Sequence, residues 1–289
     1  RQDPETTMFR ELLLPLAGTA NDATALDAGV HLARALDAHL SVLETVSLPM
    51  FMPAPWGGVV PDTLLQEVHV PLRERGVANV AALRARLAGE GIAHEVRLAE
   101  ALFAEPPQVA ALHARHADLT VLGGPAGLPA DDTAAVRRLF AGLLFESGRP
   151  VLVIPPHHSC QWPAAHAVVA WQPTREATRA LHDAMPLLAQ ATSVDVLMVD
   201  PEPRTGGHGE LPGADIGTHL ARHGLRVNVV RRERGRDSVA TALLRHAADT
   251  GAGLLVAGGF GHSRLREWML GGTTQGLLEA MHLPVLFSH

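Results

Sequence analysis

The chain has 289 residues, 47% apolar and 19% charged, which suits two globular domains of ordinary size, each with its own core. A formal charge of −6 argues against nucleic-acid binding, and no apolar stretch is long enough to span a membrane, so neither is expected as a partner. A lone cysteine, Cys160, cannot close an internal disulfide; with no signal peptide read in the polar residues 1–7 before Met8, this points to the cytoplasm.

Short apolar runs alternate along the chain with helical patterns rich in Ala and Leu. In the first half they predict strands over 9–16, 39–46, 93–98, 118–123 and 150–155, and helices over 21–37, 61–89, 105–116 and 133–148. An apolar, proline-rich insertion at 47–60, with Met50, Phe51, Met52 and Trp56, reads as a locally packed loop; a lid or inter-domain contact is the other reading. A proline-stiffened linker runs from Pro155 to Pro163. In the second half strands are predicted over 166–171, 193–199, 225–231, 252–258 and 284–288, and helices over 174–190, 213–223, 237–249 and 272–282.

The halves are one pattern written twice. Ala117-Asp118-Leu119-Thr120-Val121-Leu122-Gly123-Gly124 matches Ala252-Gly253-Leu254-Leu255-Val256-Ala257-Gly258-Gly259, and Pro150-Val151-Leu152-Val153 matches Pro284-Val285-Leu286-Phe287. Buried strands alternating with amphipathic helices predict two tandem α/β domains, 8–156 and 164–289. Each is expected as a five-stranded parallel sheet with helices on both faces and its first strand central. A ligand then sits outside the carboxyl ends of the strands.

Glycines gather at one such end. Gly258, two residues, Gly261, nine residues, Gly271 follows an apolar strand and leads into a helix, so backbone amides are free to face an anion. This spacing resembles the G-x2-G-x9-G-(S/T) signature of the universal stress protein family, and the chain resembles two fused copies of that family along nearly its whole length. The resemblance implies flavodoxin-like, Rossmann-like domains of the adenine-nucleotide α-hydrolase type. It implies a cytoplasmic stress-response or regulatory protein binding ATP or a related adenine nucleotide, with or without Mg²⁺, in the second domain. Gly258, Gly261, His262, Gly271, Gly272 and Thr273 would present amides to the phosphates, and Gln172 and Val199 would contact the nucleoside. Gly272 stands where ATP-binding members carry Ser or Thr, leaving Thr273 or Thr274 to supply the hydroxyl; Gln172 stands near a family Asp. Single-copy members dimerise, which implies an intramolecular pseudo-dimer here, with a homodimer of the chain also open. In the first half Ala126 replaces Gly261, and Arg137-Arg138 replace Gly271-Gly272; the arginines read as a solvated helix face.

Other chemistry finds less support. The chain has no Lys, so no Walker A loop exists, and no G-x-S-x-G elbow or G-x-G-x-x-G is present. His219 and His223, four apart on one predicted helix, lack a third metal ligand in the sequence pattern, and no metal is expected. No catalytic residue is assigned and no enzyme is expected; a slow hydrolase would need a metal ligand near the phosphates, for which Asp200 is the candidate. The alternative reading is a nucleotide-independent interaction module with a vestigial glycine loop and an unknown protein partner.

Overall fold

Apolar runs with no polar alternation have two faces to bury, and the sheet of this protein is covered on both. In the computed structural model, residues 9–50, 62–159, 162–201, 211–259 and 271–289 are described. The first half runs β1 (Glu11–Pro15), α1 (Asp22–Leu36), β2 (His39–Ser47), α2 (Asp62–Leu87), β3 (His94–Ala101), α3 (Pro106–Ala114), β4 (Leu119–Gly123), α4 (Ala130–Glu146) and β5 (Val151–Ile154). The second runs β6 (His166–Ala170), α5 (Arg175–Leu188), β7 (Ser193–Val199), α6 (Ala214–Arg222), β8 (Val227–Arg232), α7 (Val239–Thr250), β9 (Leu254–Gly258), α8 (Gly272–Ala280) and β10 (Val285–Ser288). Every strand and helix expected from the pattern is found, with every end within three residues of its expected place; the largest shifts are the end of β3, at Ala101 rather than 98, and the start of α4, at Ala130 rather than 133.

The ten strands form one sheet in the order β3-β2-β1-β4-β5-β10-β9-β6-β7-β8. Within each half all neighbours are parallel, and β1 and β6 lie centrally, as their apolar character predicts. The halves do not close as separate sheets. β5 and β10 pair antiparallel, with Val285 opposite Val153, Leu286 opposite Leu152 and Phe287 opposite Val151. Leu152 and Leu286 hold matching places in the two halves, so a local twofold axis passes through their pair.

Side chains alternate across the sheet with period two. Leu12, Leu14, Val169 and Val256 enter the core layer beneath α1, α2, α5 and α6, while Leu13, Val168 and Leu255 enter the layer beneath α3, α4, α7 and α8. The second layer runs unbroken through the junction, where Phe140 of α4 meets Phe287 of β10 edge to face at 5.2 Å. Across the same junction Arg137 Nη2 donates to Glu279 Oε1 at 2.6 Å and Arg179 Nη2 to the Gly148 carbonyl at 3.0 Å. Arg137 is therefore an inter-half ion pair rather than a solvated side chain. No described helix is long and apolar enough to cross a membrane.

Candidate functional site

A cleft opens at the carboxyl ends of β6, β7 and β9. Gln172 and Val199, at the ends of β6 and β7, line it together with Gly258 at the end of β9 and Gly271, Gly272, Thr273 and Thr274 at the start of α8. Gly261 and His262 lie outside the described residues, as do Cys160 and most of the 47–60 insertion.

Each wall follows from local sequence. Thr174 caps α5: its Oγ1 accepts from the Ala177 amide at 3.3 Å, which fixes where the helix turns away from the strand end. Leu197, Val199, Val239 and Leu243 give the cleft an apolar floor. Opposite, α8 begins at Gly272 with Gly271 before it, and Gly271 offers no side-chain cap to the first-turn amides. Those amides are the donors that an anion requires. Among the described residues, a Cβ on Gly272 would meet nothing within 4 Å, which leaves room beside them for the hydroxyl side chain that the position lacks. Thr273 is exposed at the rim, whereas Thr274 is 3% exposed and turned inward. Of the two, Thr273 is placed to offer a hydroxyl to the opening.

Gly258 has a different physical reason to be glycine. A Cβ there would come within 2.7 Å of the Ala177 nitrogen and 2.8 Å of the Glu176 carbonyl carbon, because α5 presses directly on the strand end. Gly123 in the first half meets the same constraint, with the Asn21 carbonyl oxygen at 2.9 Å. The strand-end glycine is thus demanded by packing in both halves.

The first half fills its own equivalent of the cleft. Asn21 Nδ2 donates to the carbonyls of Gly124 at 2.6 Å and Ala126 at 3.1 Å, stapling the β1–α1 loop to the end of β4. Asp22 accepts from the amides of Ala17, Gly18 and Thr19 at 3.2, 2.8 and 3.0 Å. Burial nonetheless holds its carboxyl above the usual range, outweighing those three amides. Arg137 and Arg138, the counterparts of Gly271 and Gly272, lie inside α4, which starts at Ala130. No helix N-terminus exists there to receive an anion.

Among the cleft-lining side chains that the sequence does not single out are Trp171, Glu176, Leu197, Val239 and Leu243. Trp171 and Glu176 lie within four residues of Gln172, but their sequence offers no sign of which way they face. Conversely Asp200 is drawn away: its carboxylate accepts from the Arg234 amide at 3.1 Å and pairs with Arg234 Nε at 2.8 Å. The rings of His219 and His223 do share a face, 4.7 Å apart, with His182 at 6.1 Å from His219. Burial and the neighbouring His223 and His182 hold His219 below its ordinary pKa. Among the described residues no group of three His, Cys, Asp or Glu is arranged to hold a metal ion.

Residues 164–289 match the Universal stress protein family. No curated protein matches the chain. Among solved structures, a universal stress protein from Archaeoglobus fulgidus superposes with a TM-score of 0.72 at 16% identity, covering 97% of each chain. A proposed universal stress protein from Pseudomonas aeruginosa superposes at 0.59 and 16% identity, covering 97% of this chain and 93% of the other. At these identities the likeness is one of fold, and it extends over both halves.

Proposed function

We propose, from the match of residues 164–289 to the universal stress protein family, that the second half holds an adenine nucleotide, ATP or a close relative. The protein then serves as a cytoplasmic stress-response or regulatory protein. The observation that carries this reading is the convergence of Gln172, Val199, Gly258, Gly271, Gly272 and Thr273 on one cleft from four separate elements. The residues fit such a ligand. The apolar floor suits a base, and the uncapped start of α8 suits phosphate oxygens. In this reading the first half, whose cleft is filled by Asn21 and Asp22, completes an intramolecular pair and binds nothing at its own strand ends. The reading includes no catalytic step.

A second reading, a nucleotide-independent interaction module for an unidentified protein, has one observation in its favour. Gly258 and Gly123 are explained by helix packing alone, so this part of the glycine pattern persists without a ligand. Calorimetric titration of ATP with Mg²⁺ separates the two. The expected result is saturable binding at one site per chain, weakened at least tenfold by Gly272→Asp. That variant keeps the fold, because the position is open and an acidic residue suits a helix start, but it sets a negative charge against the phosphates. Absence of binding at millimolar ATP overturns the nucleotide reading in favour of the module.

A further inference from the structure

Glu176 is the side chain in the cleft whose chemistry the nucleotide reading does not yet use. It lies in the first turn of α5, half-buried, and lines the cleft. Its backbone presses on Gly258, where Asn21 presses on Gly123 in the first half. The two residues therefore occupy the same place in the repeat, with opposite consequences. Asn21 carries an amide that donates to Gly124 and Ala126, and so shuts its cleft. An ionised Glu only accepts, so Glu176 cannot form the equivalent bonds to the backbone carbonyls beyond β9. Among the described residues it has no hydrogen bond or ion pair. A half-buried carboxylate of this kind is satisfied by water or by a ligand that brings donors.

The order of the strands says which part of the ligand that is. The sheet runs β9-β6-β7, with Val199 at the end of β7, Gln172 just beyond β6 and Gly258 at the end of β9. Gly271 and Gly272, at the uncapped start of α8 that the nucleotide reading assigns to the phosphates, line the same cleft. From the apolar seat over β7 to Gly258 is two strand spacings, about 10 Å. Glu176 stands against Gly258, between the base seat and the phosphate seat. In a nucleotide lying along this line, the group at that point is the ribose, whose hydroxyls are donors.

We propose that Glu176 accepts the ribose hydroxyls of the bound nucleotide and makes the cleft selective for ribonucleotides over 2′-deoxyribonucleotides. This inference rests on the nucleotide reading above. The same acceptor chemistry serves ribose recognition at other strand-end sites, where an acidic side chain takes the 2′-hydroxyl.

The test compares ATP with 2′-deoxyATP by calorimetry on the full chain, for the wild type, Glu176→Gln and Glu176→Ala, with circular dichroism as a check on folding. The wild type is expected to prefer ATP by about tenfold, the size of one charge-assisted hydrogen bond. Glu176→Ala should lower that preference to about twofold or less while still binding both nucleotides, and Glu176→Gln, which keeps one acceptor oxygen, should fall between. Equal wild-type affinities, or a preference that survives in Glu176→Ala, overturn the proposal. So does tighter binding of both nucleotides by Glu176→Ala at an unchanged ratio, which would make the carboxylate a repulsive charge near the phosphates. If neither nucleotide binds the wild type, the nucleotide reading itself falls, and this inference with it.

Discussion

The two halves carry the same Gly-Gly pair at the end of the same strand, Gly123-Gly124 and Gly258-Gly259, yet one end is filled and the other open. The pair itself is not the difference. Gly123 and Gly258 are both pressed by backbone at the start of a helix from elsewhere in the chain, α1 and α5. The second glycine of each pair lies under the opposite half: a Cβ on Gly259 would strike Leu144 at 2.6 Å, and one on Gly124 would meet the Met281 sulfur at 3.5 Å. What distinguishes the halves is the residue beside the glycine, Asn21 or Glu176, and where the next helix starts. α4 begins about two turns before the point at which α8 begins, so the first half has no helix N-terminus where α8 has one. A glycine motif at a strand end is thus first a packing device. It becomes a ligand device only when its neighbours leave the amides free.

The comparison breaks most severely at the seam. Phe287 is fully buried and belongs to β10, which both halves share through β5, whereas its counterpart Val153 has no aromatic partner. Phe287→Ala should remove about 3–5 kcal/mol of stability. Because one sheet joins the halves, far-UV dichroism and tryptophan fluorescence should report a single coincident loss in urea. Two separated transitions would show that the halves are energetically independent.

A smaller effect is expected at the opposite ends of the strands, where Ser41 of β2 and Asp195 of β7 hold matching places. Ser41 donates to Glu95 at 2.9 Å. Asp195, 5% exposed, accepts from His246 Nε2 at 2.8 Å and Asn228 Nδ2 at 3.0 Å, with His166 Nε2 at 3.3 Å. Burial alone would raise its pKa, but the bonds from Asn228 and His246, with the charges of the two histidines, bring it below the ordinary 3.8. A carboxylate lowered on folding stabilises above its unfolded pKa, and the contribution fades as pH falls through the folded value. Asp195→Asn should therefore lose about 1.5–3 kcal/mol at pH 7, with the deficit shrinking below pH about 4. A deficit that does not change with pH would exclude the ionised carboxylate as its source.

The smallest effects sharpen the distinction between the two roles of glycine. Gly258→Ala should cost about 1–2 kcal/mol through overpacking against α5, as should Gly123→Ala. Gly272→Ala, in open space within a helix, should be neutral or stabilising by up to about 1 kcal/mol. Thermal unfolding of the three variants without nucleotide checks this, and a destabilised Gly272→Ala would contradict the open geometry.

The sequence by itself determined the element order, the repeat and the central placing of β1 and β6. These rest on periodicity and apolar runs, which are local properties of the chain. The spacing of Gly258 and Gly271 is also a property of the sequence, whereas Gln172, Val199, Gly272 and Thr273 came forward through the resemblance to the universal stress protein family that this spacing carries. The continuous sheet through β5 and β10, the ion pair of Arg137 with Glu279, and the orientations of Thr273 and Thr274 were decided by tertiary structure. So were the plug made by Asn21 and the opening left by Glu176. Both residues are ordinary polar side chains at a helix start, Asn21 just before α1 and Glu176 in the first turn of α5. Their roles depend on how closely each helix approaches a strand more than 80 residues away, and on whether the side chain can donate a hydrogen bond once it is there.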